Sequence, residues 1–166
     1  MPSPTLSRED AASRVTAFVY GNVVALASLV PLTREDAETG RSAIIVLGAA
    51  VATFVAHAFA ESAGRRVRSD ERLTARQLVD EVRDSAPVLT AGAVCAVVLA
   101  AARAGGLPGH LAVLAAEGWV LLRLAATGPI VGAIRGTAVS MRTLLAGVGL
   151  ALAGACVTGA KLALTH

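Results

Sequence analysis

The chain has 166 residues, 55% of them hydrophobic and 16% charged, with a mean hydropathy of +0.65 and a net charge of +3. Its apolar residues come in blocks of roughly 17 to 24, as in spanning helices, and not as the stripes of a soluble core. Two cysteines, Cys95 and Cys156, exclude a disulfide framework or a Cys-rich zinc site, and 3% aromatics exclude a base-stacking platform for nucleic acid.

Residues 1–14 are polar and of mixed charge and read as an N-terminal tail, leaving 15–166 as one membrane-embedded helical domain. The first apolar block, 15–32, is read as a retained helix. Ala25-Leu26-Ala27 resembles a signal-cleavage site, but acids in the leader and Tyr20 and Asn22 within the block argue against removal. Pro31 ends the block, and Thr33 to Arg41 is a short charged loop.

The second block, 44–61, carries His57 and ends at Glu61. A long polar stretch follows. Within 70–85, Ala75, Leu78, Val79, Val82 and, just beyond, Ala86 recur at helical spacing behind a Thr74/Gln77 capping-box signal. This predicts a short amphipathic connector helix, cytoplasmic and lying on the membrane surface or against the helix ends.

The third block is 87–102, and the Gly/Pro turn Arg103 to His110 joins it to the fourth as an antiparallel hairpin. The fourth, 111–134, is long enough to span but holds Glu117 and Arg123 inside its ends, with Gly128-Pro129 further on. A central Arg costs at least ~2.5 kcal/mol in a bilayer, so neighbouring segments must shield it. The fifth block is 144–164, with Lys161 placed to snorkel. The expected fold is therefore all-α: a bundle of about five transmembrane helices.

Five crossings put the termini on opposite sides. The N-terminal tail, the central polar stretch and the last loop then share a face rich in Arg, among them Arg8, Arg14, Arg65, Arg72, Arg83 and Arg142. The opposite face holds Arg34, Arg41, Arg103 and Lys161. The positive-inside rule predicts a cell-membrane protein with N-terminus cytoplasmic and C-terminus outside.

Small residues recur every fourth position, notably Gly128, Gly132, Gly136 and Gly147, Ala151, Ala155, Gly159. Such faces let helix backbones approach, within the bundle or between protomers of a homo-oligomer. The polar set inside the blocks is Asn22, His57, Glu61, Glu117 and Arg123, the candidates for an ion or solute path or for a buried network that fixes register. In the expected topology Arg123 lies near mid-depth, Glu117 nearer the outside and His57 and Glu61 toward the inside; Glu117 and Arg123, six apart, are turned about 120° from each other. His57 and Glu61, four apart, share a face but offer two metal ligands and no third, so no metal site is expected.

No P-loop, Gly-x-Ser-x-Gly, His-Glu-x-x-His or dinucleotide fingerprint appears, so no catalytic residue and no cofactor is assigned. The segment Arg14-Val-Thr-Ala-Phe18-Val-Tyr-Gly21 resembles the first helix of bacterial relatives of the lysosomal potassium channel, which carry Arg-x-x-x-Phe-Ser-Asp there. Here Val19 and Tyr20 replace Ser-Asp and the usual second-half helix is missing, so no family is assigned. The function expected first is an ion or small-solute channel or transporter, or a subunit of one. Second is a non-catalytic partner protein docking through the connector helix, and third a membrane-embedded enzyme using Glu117 or His57–Glu61.

Overall fold

Every regular element among the described residues is an α-helix: α1 (Arg8–Leu29), α2 (Arg34–Thr39), α3 (Arg41–Ser69), α4 (Ala75–Arg103), α5 (Gly109–Ala125), α6 (Thr127–Arg135) and α7 (Met141–Leu164). The computed structural model describes residues 8–69, 74–135 and 141–164, so residues 1–7 of the predicted tail 1–14, residues 70–73 of the connector and Gly136 lie outside the described residues, while residues 8–14 form the first turns of α1. Four helices are long and apolar enough to cross a membrane, or five if the bent pair α5–α6 counts as one span.

The contacts fix how the helices run. Ser62 of α3 meets Glu81 of α4, and Gly92 of α4 lies against Val46 and Ala50 of α3, so these two are antiparallel. Cys95 reaches the Ala116 carbonyl while Arg123 reaches Pro87, which makes α5 antiparallel to α4. Gly147 sits against Leu124 and Ala125, and Gly154 against Leu121, so α7 runs back along α5. Arg14 pairs with Asp84 and Gly21 abuts Val88, which makes α1 parallel to α4. The long helices alternate in direction, and α1 starts at the end of the bundle opposite to where α7 finishes.

At the centre, α4 packs on α3, α1 and α5. The fully buried large side chains there include Leu29, Val46, Val88, Leu99, Val120 and Leu124, interleaved with Ala25, Ala91, Cys95, Ala112 and Ala116. The exterior is apolar as well: Ile44 and Phe59 are each 75% exposed, Val97 71% and Leu122 63%. In water such a girdle would far exceed what a soluble monomer shows. In lipid it needs no cover, and close packing of small residues holds the helices together.

Three elements depart from the reading of the sequence. The connector 70–85 and the third block 87–102 are not separate helices, because α4 continues from Ala75 to Arg103 with Pro87 inside it. Proline removes one backbone hydrogen bond and costs ~3 kcal/mol or more in a helix interior. Burial on both sides of it offsets that cost, with Glu81, Asp84 and Ser85 before it and Val88, Ala91 and Cys95 after it.

The orientation of the first half of α4 is inverted as well. Its polar residues Glu81, Asp84 and Ser85 are buried, and Val79 and Val82 are 65% and 51% exposed. Asp80 and Arg83 are exposed beside these valines, so the outward face is mixed, while Glu81 and Asp84 are drawn inward by partners on α3 and α1.

The third departure is in the fourth block. It breaks at Ala126, where α5 ends and α6 begins at an angle of 45°. Pro129 lacks an N–H to continue the ladder, and Gly128 lies where a Cβ would fall 2.8 Å from Leu144 Cα. The bend brings the elbow onto α7, and glycine at 128 and 147 is what leaves room for it.

At the end of the bundle where α1 finishes, the loop 33–41 contains α2, built on a capping box. Thr33 accepts from the Asp36 backbone N–H at 3.2 Å, and the Asp36 carboxylate accepts from the Thr33 backbone N–H at 3.0 Å. Gly40, at φ 79°, closes the helix in the left-handed conformation that favours glycine.

Candidate functional site

The break at Ala126 changes the depth of both ionisable groups in this segment. Within a straight 24-residue helix Arg123 would be central. In the structure it occupies the last turn of α5, and Glu117 becomes the middle residue of the 17-residue helix. The neighbours agree. Arg123 is level with Pro87 and Thr90 of α4, and Thr90 is six residues, about 9 Å, from the buried Asp84. Arg123 is thus placed toward the end of the bundle that carries the Arg14–Asp84 pair, within reach of a long side chain to the boundary.

Glu117 is 2% exposed. Beside it on α5, Ala116 offers its carbonyl to Cys95 Sγ at 3.8 Å. Gly154 of α7 touches Leu121 and Leu26. Thr158 lies one helical turn farther along α7 than Gly154. Thr158 is 8% exposed, and its hydroxyl is buried without a hydrogen-bond partner. At the elbow, the Thr127 hydroxyl is likewise buried and unpartnered. Asn22 on α1 is fully buried; its amide donates to the Phe18 carbonyl at 2.6 Å, and its Oδ1 has no partner. Orphaned buried polar atoms are few in folded proteins, and each one calls for an explanation.

Arg123 is half-buried and faces aromatic rings. Its guanidinium carbon lies 4.8 Å from the centroid of Phe18 and 6.0 Å from that of Trp119. Nη2 donates over long distances to the Pro87 carbonyl (3.5 Å) and to Thr90 Oγ1 (3.4 Å), while Nε is buried without a partner. Charge-assisted bonds to an anion run at ~2.7–2.9 Å, so these contacts are weak for a guanidinium.

His57 lies apart from this group. Its ring stacks on Tyr20 at 6.2 Å and 25°, and Nε2 is buried without a partner. The half-buried Glu61 is on the same helix one turn on. Asn22 is on α1 and Glu117 and Arg123 are on α5, with Arg123 against Phe18 of α1; His57 of α3 meets α1 through Tyr20, and Glu61 lies one turn beyond it.

A second polar cluster was not singled out in the sequence. Arg14 Nε donates to Asp84 Oδ1 at 2.6 Å, Ser62 donates to Glu81, and the fully buried Ser85 follows Glu81 by one turn. The signal for it was present, since Glu81, Ser85 and Val88 recur at helical spacing. A rule that buries the apolar face passes over it. No group of three metal-ligating side chains occurs among the described residues.

The glycine series divide by role. Gly128, Gly132 and Gly147 are buried at the elbow, whereas Ala155 and Gly159 are exposed and nothing approaches a Cβ built on Gly159. Ala17, Gly21 and Ala25 are buried against the core, and Gly48, Ala52, Ala56 and Ala60 face outward on α3. Comparison with family models, with curated proteins and with solved structures finds no match for the chain.

Proposed function

We propose that the protein is a multi-pass membrane protein that binds or passes an ion or small polar solute, with the path running along α1, α5, the elbow and α7. One observation carries the reading: a broken span whose surroundings hold buried polar atoms without partners, at Asn22, Thr127 and Thr158, together with the buried Glu117. Irregular backbone at membrane depth is tolerated where protein buries it or where it lines a cavity, and broken helices are common places for solute sites. Asn22, Glu117 and Thr158 are buried inside the bundle, so the path they would line runs within each protomer of any homo-oligomer. The N-terminus is assigned to the cytoplasm by the distribution of Arg; a C-terminal reporter reading cytoplasmic would refute that orientation.

The test is flux in proteoliposomes for protons, sodium, potassium and chloride. Wild type should exceed protein-free vesicles for one of these, and Glu117→Gln should lower that flux at least tenfold while the helix content stays constant. Absence of flux for all four ions sinks the channel reading. The second reading, a non-catalytic partner protein, is favoured by the outward-facing Val79 and Val82 on α4. It predicts that Val79→Glu with Val82→Glu releases a co-purifying protein without unfolding the bundle.

A further inference from the structure

We infer that Arg123 and Thr90 form a binding site for the phosphate of an anionic phospholipid, in the leaflet at the end of the bundle where α1 begins. The inference does not rest on any transport activity.

A guanidinium keeps its charge in any protein environment, so at membrane depth it must be paired or hydrated. Among the described residues the ion pairs are Arg14–Asp84 and Arg34–Glu38, and Arg123 is in neither. Its protein acceptors are one carbonyl and one hydroxyl at 3.4–3.5 Å, and the carbonyl is already taken by Thr90 Oγ1 at 3.0 Å. Phe18 offers its ring face, which is attractive but leaves the charge uncompensated.

The residues beside it face outward. Thr90 is exposed, Trp119 is 37% exposed and Leu122 63%, so the groove between α4 and α5 looks outward over apolar rims. What lies against such rims is lipid. Its depth, about 9 Å from the charged layer at Asp84, suits a long side chain reaching up to a headgroup. Trp119 is the only tryptophan of the chain and lies one turn deeper on the same helix.

The ligand class follows from the donors. A planar guanidinium matches two oxygens of a phosphate, and the Thr90 hydroxyl beside it, which donates to the Pro87 carbonyl in the free protein, can turn its one proton to a third. A net-anionic headgroup is favoured over a zwitterionic one, whose own ammonium competes for the phosphate. Basic pockets between membrane helices commonly take such headgroups.

The experiment is native mass spectrometry of the full chain in detergent, titrated with dioleoylphosphatidylglycerol, dioleoylphosphatidylcholine or inorganic phosphate. Wild type should retain one phosphatidylglycerol, at least tenfold more tightly than phosphatidylcholine. Arg123→Gln should lose that preference, and Arg142→Gln, at the exposed start of α7, should keep it. Equal retention by wild type and Arg123→Gln overturns the site, and so does equal loss in Arg142→Gln, which marks diffuse attraction. Full displacement by millimolar inorganic phosphate overturns the lipid assignment in favour of a free-anion site. Should Arg123→Gln not fold, Arg123→Lys and Thr90→Val replace it. Each should weaken retention severalfold, and unchanged retention in both overturns the inference.

Discussion

Arg14 Nε donates to Asp84 Oδ1 at 2.6 Å, joining the early turns of α1 to α4 across 70 residues of chain. Asp84 is nearly buried and Arg14 remains partly exposed, so the pair lies between the surface and interior cases. Removing the carboxylate strands a guanidinium that is only partly exposed. Asp84→Ala should lower stability by about 1–3 kcal/mol, below the ~3–5 kcal/mol of a fully buried broken pair, and Arg14→Leu with Asp84→Leu should recover part of it. Thermal unfolding in detergent reads the difference. A double variant no better than the single would show that the two residues are not coupled.

A Cβ on Gly21 would lie 2.5 Å from Val88 Cα, where the obstacle is backbone and cannot rotate away. Gly21→Ala should therefore push α1 off α4 and destabilise by about 1–3 kcal/mol, as overpacking does. Nothing lies within 4 Å of a Cβ on Gly149. Gly149→Ala should be neutral, or stabilising by up to ~1 kcal/mol through helix propensity. Chemical unfolding of the two variants side by side tests the α1–α4 crossing, and equal stabilities would contradict it.

The Asp36 carboxylate is held below its ordinary value of 3.8 by the Thr33 backbone N–H, then by the Thr33 hydroxyl, with Arg41 adding a smaller attraction. The folded loop thus prefers the ionised form. Its contribution to α2 is present above the unfolded pKa of 3.8 and is lost as pH falls through the lower folded value. Amide exchange of Ala37 should accelerate at acid pH beyond its intrinsic trend in wild type, and Asp36→Asn should remove that response. An identical response in both would assign the acid sensitivity to another group.

The number and order of apolar blocks were legible in the sequence because they depend only on composition over a length. The elbow was not. Gly128-Pro129 stood in view, but an apolar run carries no mark of a bend until α7 is there to receive it, and Gly147 supplies that partner from the next helix. Missing the bend displaced Arg123 to mid-depth. The fusion of 70–85 with 87–102 was hidden for a similar reason, since proline and polarity both argue locally for a stop at residue 87. Burial of Glu81, Asp84 and Ser85 against α1 and α3 outweighs them. Of the candidate site, the residue types were readable and their neighbours were not, because helix pairing decides that Arg123 meets Phe18 and His57 meets Tyr20, both on α1.

The break at Ala126 also makes the bundle uneven in height. α3 and α4 have 29 residues each, about 44 Å of helix, while α5 has 17, about 26 Å. α6 adds 9 residues, about 13 Å, at 45°, so a hydrocarbon layer of ~30 Å would be matched on that side only by the bent pair together. A layer around the chain would meet a straight wall along α3 and α4 and an angled one at the elbow. The angle between α5 and α6, and not any one helix length, would then set how thick a layer that side matches.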